Sequence, residues 1–275
     1  MSTAHTVLGI DTGGTTTRMW SGKGNIRRFD TPHDYDEYLN MVRQEVQEAN
    51  ANTVVIGVPA IVERHQKVVA AINLGKEWSG KDLAADVSTL TGATEVVILQ
   101  DTEAAGYALQ EQLHAAESHA MLITFSTGVG GAWVSKKFVE PLEVGHLPLD
   151  LSGKRNVCTC GQTGCVEADL GGWAVKKLHG SAENINDPEF WRDYGTKAGR
   201  FFLAVTTQFR LQRIGLIGGI SQKWDAFEGP CMEYLQTHLK HVPMPQICIM
   251  HGGDSVGVKG AYYFGSSRTT TVRQS

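Results

Sequence analysis

The chain has 275 residues, 41% of them hydrophobic, enough to bury a substantial core in one large domain or two modest ones. A formal charge of −4 with no basic stripe argues against nucleic acid and anionic membrane surfaces as partners. No apolar run approaches the roughly 20 residues that span a bilayer, and the opening MSTAHTVLGI lacks the basic start and apolar stretch of a secretion signal, so a cytoplasmic setting is expected.

Taken in chain order, VLGID is a short apolar run ending in an acid, and Gly13 and Gly14 follow it, which predicts a buried strand and a tight turn. The β-branched and aromatic residues of TTTRMWSG predict a second strand, so the glycines join a hairpin. Between Asp34 and Asn50, Tyr35, Tyr38, Leu39, Val42 and Val46 recur at helical spacing. Strand TVVIGVP, a helix over Leu83 to Leu90, strand VVILQ ending at Asp101, and a helix from Ala104 to His114 complete an alternating α/β half.

At His119 the pattern begins again, with AMLITF running into STGVGG. A helix from Phe201 to Gln212, strand and turn RIGLIGGIS, helix CMEYLQTHL, strand QICIM and closing helix VGVKGAYYF follow, with a loose polar tail from Ser266 to Ser275. The chain reads as two similar α/β units.

Four features carry chemistry. Asp11-Thr12-Gly13-Gly14-Thr15 lets the backbone approach a ligand closely, with hydroxyls for phosphate and an acid for magnesium, although the same residues suit a plain hairpin turn. Ser126-Thr127-Gly128-Val129-Gly130-Gly131 repeats that logic, and the two turns either clamp one triphosphate or serve as independent hairpins. Asp101 falls at a strand's carboxyl end, where a carboxylate can take a hydroxyl proton or cap the following helix. His146 with Cys158, Cys160 and Cys165 supplies four ligands for a closed tetrahedral zinc site, which leaves no open position and is therefore structural, the alternative being ordinary buried thiols. Gly161 and Gly164 give the turns a chelating loop needs. Cys231 and Cys248 read as core residues, and His65 and His238 as surface or packing residues.

Together these motifs resemble the ROK family, the bacterial sugar kinases and related repressors of the sugar kinase, actin and Hsp70 superfamily. The likeness runs in order through DTGGTTTR, GVPAIVE at 57–63, NLGKEW at 73–78, LQDTEAAGYAL at 99–109, STGVGG, EVGH at 143–146, CTCGQTGCVE at 158–167 and GLIGGIS at 215–221. It implies a two-domain, actin-like ATPase (ribonuclease H-like) α/β fold with an active-site cleft between the domains. A small N-terminal domain would span 1–115, and a large C-terminal domain 116–275 would carry the zinc loop, its last helix packing back on the small domain.

The implied activity is ATP-dependent phosphorylation of a hexose or N-acyl hexosamine at the 6-hydroxyl. The resemblance makes Asp101 the general base and places Glu143, His146, Glu167, Asn73 and Ala60 at the sugar. It assigns Asp11 to magnesium, Gly13, Gly14, Thr15, Thr127 and Gly128 to the phosphates, and Gly218 and Gly219 to the adenosine side. ATP, Mg2+ and a structural Zn2+ are the implied cofactors, and a homodimer the implied assembly. The sequence departs from the family pattern at Gln100 and Glu103, which stand where Asn is common, and at Ala60 and Ser126, which stand where Gly is common. The repressor branch carries a helix-turn-helix ahead of the DxGGT strand, and only six residues precede Val7, so a kinase is expected; a catalytically silent sugar-binding protein is the alternative that the neighbours of Asp101 motivate.

Overall fold

The computed structural model describes residues 6–71, 74–113 and 119–271, the last three as backbone. They form two compact units, Met1–Gln112 with Ser255–Ser275, and Leu113–Asp254.

The first unit opens with strand β1 (Val7–Thr12), β2 (Thr16–Trp20) and β3 (Arg27–Asp30), followed by helix α1 (Tyr35–Ala49) and β4 (Thr53–Val58). A hairpin of β5 (Ala60–Glu63) and β6 (Lys67–Ala71), helix α2 (Leu83–Thr91), β7 (Glu95–Gln100) and α3 (Asp101–Gln110) come next. The main sheet runs β3-β2-β1-β4-β7, antiparallel through the first three strands and parallel from β1 to β7. β4 is buried at every position, as a parallel central strand covered on both faces must be. Asp34 caps α1 by accepting from the Glu37 amide at 2.9 Å, and Asn50 closes it in the left-handed conformation. Of its predicted apolar stripe the helix buries Tyr35, Tyr38, Val42 and Val46 and half-buries Leu39, with both tyrosines packed against Trp78.

The second unit contains β8 (Ala120–Phe125), β9 (Val129–Val134), β10 (Val139–Leu142), α4 (Glu167–Leu170), α5 (Gly172–His179), α6 (Pro188–Phe209), β11 (Arg213–Ile217), α7 (Trp224–His238) and β12 (Gln246–Ile249). Its sheet, β10-β9-β8-β11-β12, repeats the strand order and directions of the first. Phe125, Phe201, Phe202 and Phe227 are fully buried in its core, each contributing roughly 1.5–3 kcal/mol. The last helix, α8 (Val256–Thr271), belongs to the first unit, where it packs on α3 and β1. Gly9 permits this, since a Cβ there would lie 2.7 Å from the Val258 carbonyl oxygen.

Several predicted elements need correction. α6 begins at Pro188, thirteen residues before the expected start at Phe201, because Asp187 and Pro188 open it and Gly195 and Gly199 dilute its apolar periodicity. Both glycines are packing sites: a Cβ on either would come within 3 Å of α7 backbone. α3 starts at Asp101 itself and ends at Gln110, with His114 outside the described residues. Residues 266–271, expected to be loose, continue α8. The β5–β6 hairpin, β3 and β10 were too short to announce themselves. No helix among the described residues is long and apolar enough to cross a membrane.

Candidate active site and metal centre

In the first unit, the predicted turn after β1 is a hairpin closed by Gly13 N–H donating to Thr16 O at 3.0 Å. Thr31 braces it, its amide donating to Thr15 O and its hydroxyl to Gly13 O at 2.8 Å. Thr12 turns inward and shares a buried hydrogen bond of 2.7 Å with Tyr38 Oη, which ties α1 to the end of β1. Burial raises the Tyr38 phenol well above its ordinary range, so it stays neutral and can serve as donor. Asp11, at the mouth of the turn, has its carboxylate 4.0 Å from the Arg18 guanidinium. Gly257 makes room for it, because a Cβ there would sit 2.7 Å from the carboxylate. One partly exposed carboxylate beside a turn suits a magnesium ion that takes its remaining ligands from phosphate and water.

Asp101 is the first residue of α3, directly after edge strand β7. It is not the N-cap, which is Gln100 with no side-chain cap bond; instead its Oδ1 accepts from the Thr102 amide at 2.7 Å. α3 settles on the sheet because Gly57 lacks a side chain: a Cβ there would lie 2.9 Å from Ala104 Cβ and 3.8 Å from Asp101 Cα. Glu103, one of the departures noted above, is buried and meets His65 Nε2 at 3.0 Å. His65 also accepts the Ile98 amide on its backbone oxygen, so the β5–β6 hairpin folds over the edge of β7. Ala60 begins that hairpin and is buried, while Asn73 lies outside the described residues. His65 is thus the surface and packing residue expected from sequence, although its partner Glu103 was not foreseen.

In the second unit, His146, Cys158, Cys160 and Cys165 come together, with their ligand atoms all within 4.8 Å of one another. Cys160 Sγ and Cys165 Sγ are 3.7 Å apart, as are Cys158 Sγ and His146 Nδ1. Ligands about 2.3 Å from a central zinc at tetrahedral angles are separated by about 3.8 Å, so the cluster fits the ion in spacing and in donor set. Burial pushes the Cys165 thiol up to about 12 and the Cys158 thiol upward, while the Gln162 amide draws exposed Cys160 downward. Cys231 lies apart in the core, where burial pushes its thiol up to about 12, and Cys248 is half-buried on β12.

The loop is built for close approach. His146 sits in a turn whose amide donates to Glu143 O at 3.0 Å, and Gly145 within that turn lies against β9 so tightly that a Cβ would fall 1.9 Å from Val129 O. The His146 ring faces two ways, with Nδ1 toward the thiols and Nε2 4.0 Å from the exposed Glu143 carboxylate. Glu167, at the start of α4, is buried, and its Oε2 accepts from the Val129 amide at 2.9 Å. Its Oε1 accepts from Trp173 Nε1 at 3.1 Å and Thr159 Oγ1 at 3.2 Å. The Cys158 thiol also points at Oε1, at 3.9 Å, so the carboxylate is tied to both the turn and the metal loop.

Thr127 and Gly128 lie in the predicted turn between β8 and β9, above Glu167. Gly128 lets that carboxylate approach, since a Cβ would be 2.4 Å from Glu167 Oε2. Gly218 and Gly219 follow β11 alongside it; Gly218 has φ +98°, and a Cβ would be 2.3 Å from Phe125 O. The structure thus gathers His146, the three cysteines, Glu143, Glu167, Thr127, Gly128 and Gly218 in the second unit. Asp11, Gly13, Gly14, Thr15, Ala60 and Asp101 stand in the first. Thr159 and Trp173 were not singled out from sequence; the Gly171-Gly172 doublet before Trp173 was the signal available.

The profile of the ROK family matches residues 7–267. An N-acetyl-D-glucosamine kinase of Escherichia coli O127:H6 is 29% identical over 277 residues, covering 86% of this chain and 90% of that protein. An N-acetylmannosamine kinase of Escherichia coli O6:H1 is 31% identical over 193 residues, 64% of each chain, so this chain spans just under two thirds of that relative. Among solved structures, a ROK family glucokinase from Streptomyces griseus in complex with glucose and AMPPNP superposes with a TM-score of 0.75 at 20% identity, covering 95% of this chain and 99% of that one. The repeated five-stranded sheets are those of the actin-like ATPase fold these neighbours share, and the chain belongs to the ROK family, in the company of relatives named as sugar kinases.

Proposed function

We propose that the protein transfers the γ-phosphoryl group of ATP to the 6-hydroxyl of a hexose or N-acyl hexosamine. The observation that carries this reading is the assembly in one unit of the Cys3His cluster, the carboxylates Glu143 and Glu167, and the glycine turn at Thr127 and Gly128, with Glu167 bonded to that turn. The names of the sequence relatives favour an N-acetylhexosamine as acceptor.

In this reading Glu143, His146 and Glu167 receive sugar hydroxyls, and Ala60 and Asn73 shape the sugar side. Asp101 takes the proton of the 6-hydroxyl as its oxygen attacks the γ-phosphorus in line, and the bond to the ADP oxygen breaks. The turns at Gly13, Gly14 and Thr15 and at Thr127 and Gly128 let the phosphates approach the backbone closely, and Gly218 and Gly219 let the adenosine lie against backbone. Magnesium at Asp11 would neutralise charge on the phosphate oxygens, and zinc at the closed four-ligand cluster would act as a cross-link that orders the loop. Such a loop fixes His146 directly and Glu167 two residues after Cys165, which is how a supporting shell preorganises a site. A cytoplasmic setting, where thiols stay reduced, and a homodimer belong to the same reading.

The test is a screen of hexoses and N-acyl hexosamines with ATP and magnesium, following ADP release. Turnover with at least one supports the reading; binding of several without turnover with any would favour a catalytically silent sugar-binding protein.

A further inference from the structure

We propose that Glu167, held in place by Trp173, couples the metal loop to the glycine turn at 126–129, so that metal occupancy sets nucleotide affinity as well as the sugar side. This rests on the phosphate-binding role read above for that turn.

The turn is fastened from one side by a single short segment. Glu167 Oε2 accepts the Val129 amide at 2.9 Å, while the amides of Gly172 and Trp173 donate to Ser126 O and Thr127 O at 2.8 and 2.9 Å. There is no slack in this packing. A Cβ on Gly128 would lie 2.4 Å from Glu167 Oε2, one on Gly172 would lie 2.4 Å from Ser126 O, and one on Gly171 would lie 2.6 Å from Glu167 O. A displacement of Glu167 is therefore transmitted to the turn instead of being absorbed.

The other carboxylate oxygen belongs to the metal side. Oε1 accepts from Thr159 Oγ1 at 3.2 Å, and the Cys158 thiol lies 3.9 Å away. Thr159 stands between ligands Cys158 and Cys160, so ordering the ligands orders this donor. Trp173 closes the arrangement: its indole packs against Cys158, Cys165 and Ala168, and its Nε1 donates to the same oxygen at 3.1 Å. With Oε1 pinned by two donors, Oε2 is directed at the Val129 amide. Trp173 touches neither sugar nor nucleotide in this scheme and is a positioning residue. A carboxylate hydrogen bond of this kind, in a buried setting, is strong enough to matter.

The experiment uses the full-length, zinc-loaded protein and its Trp173→Phe variant, which keeps an aromatic ring but has no N–H. The expected result is unchanged zinc stoichiometry, roughly tenfold weaker binding of a non-hydrolysable ATP analogue with magnesium, and a smaller change in sugar affinity. Removing zinc from the wild-type protein with a chelator should weaken the same analogue by a similar factor, and should add at most about threefold in Trp173→Phe, since the two perturbations act through one carboxylate. Thr159→Val, at an exposed position, provides a second variant with the same direction and is decisive if Trp173→Phe does not fold. Analogue affinity within twofold of wild type in the folded variants, or equal chelator effects in both proteins, would overturn the coupling and leave the kinase reading intact. Failure of the wild-type protein to bind the analogue would overturn both.

Discussion

Gly145→Ala tests whether the close approach of the EVGH turn to β9 governs the site. The added methyl would sit 1.9 Å from Val129 O and 2.8 Å from Val129 C. A comfortable carbon–oxygen contact is about 3.3 Å, so one of the two backbones must retreat by about 1.4 Å. Neither can do so freely. Val129 is held by the hydrogen bond its N–H donates to Glu167 Oε2 and by its pairing with Phe125, and the turn is closed by His146 N–H donating to Glu143 O and Leu147 N–H to Val144 O. Overpacking of this kind costs about 1–3 kcal/mol in stability. In the proposed zinc site each ligand distance should fall within about 0.2 Å of its standard value, so a shift of His146 on this scale would take one of the four proposed ligands out of reach. Misplacement of a substrate contact by about 1 Å costs about a hundredfold in rate. The expected result is therefore zinc well below one equivalent by elemental analysis, a lowered melting temperature and kcat/KM down about a hundredfold. A Gly145→Ala protein with full zinc content and wild-type kcat/KM would refute the packing argument.

Asp101→Asn should lower kcat by roughly 10²- to 10⁴-fold while sugar affinity by calorimetry stays close to wild type, because only the proton acceptor is lost; a parallel loss of binding would point to a structural role at the start of α3. Cys160→Ser should reduce zinc content and sugar affinity together, and an unchanged metal stoichiometry would remove Cys160 from the ligand set. Thr12→Val leaves the buried Tyr38 hydroxyl without its 2.7 Å partner and should cost about 1–3 kcal/mol in urea denaturation, with a difference under about 0.5 kcal/mol counting against the bond.

Much of the candidate site was legible because its residues are local in sequence. Cys158, Cys160 and Cys165 fall within eight positions, and a loop that short brings them together wherever it is placed. Asp11 and Asp101 each close an apolar run, and such a run ends at the carboxyl edge of its sheet. Glu103 was visible only as an odd neighbour of Asp101, since its partner His65 is 38 positions away.

Periodicity and turn chemistry determined by themselves the two α/β halves, the two glycine turns and the clustering of the three cysteines, because each depends on residues close in sequence. Tertiary structure alone decided which carboxylate faces which amide. That Glu167 bonds Val129, 38 residues away, and shares its other oxygen with Trp173 and Thr159 follows from packing β9, α4, α5 and the metal loop together. The same packing explains why Gly145 and Gly172 must be glycine: the missing Cβ matters only once another backbone occupies its place.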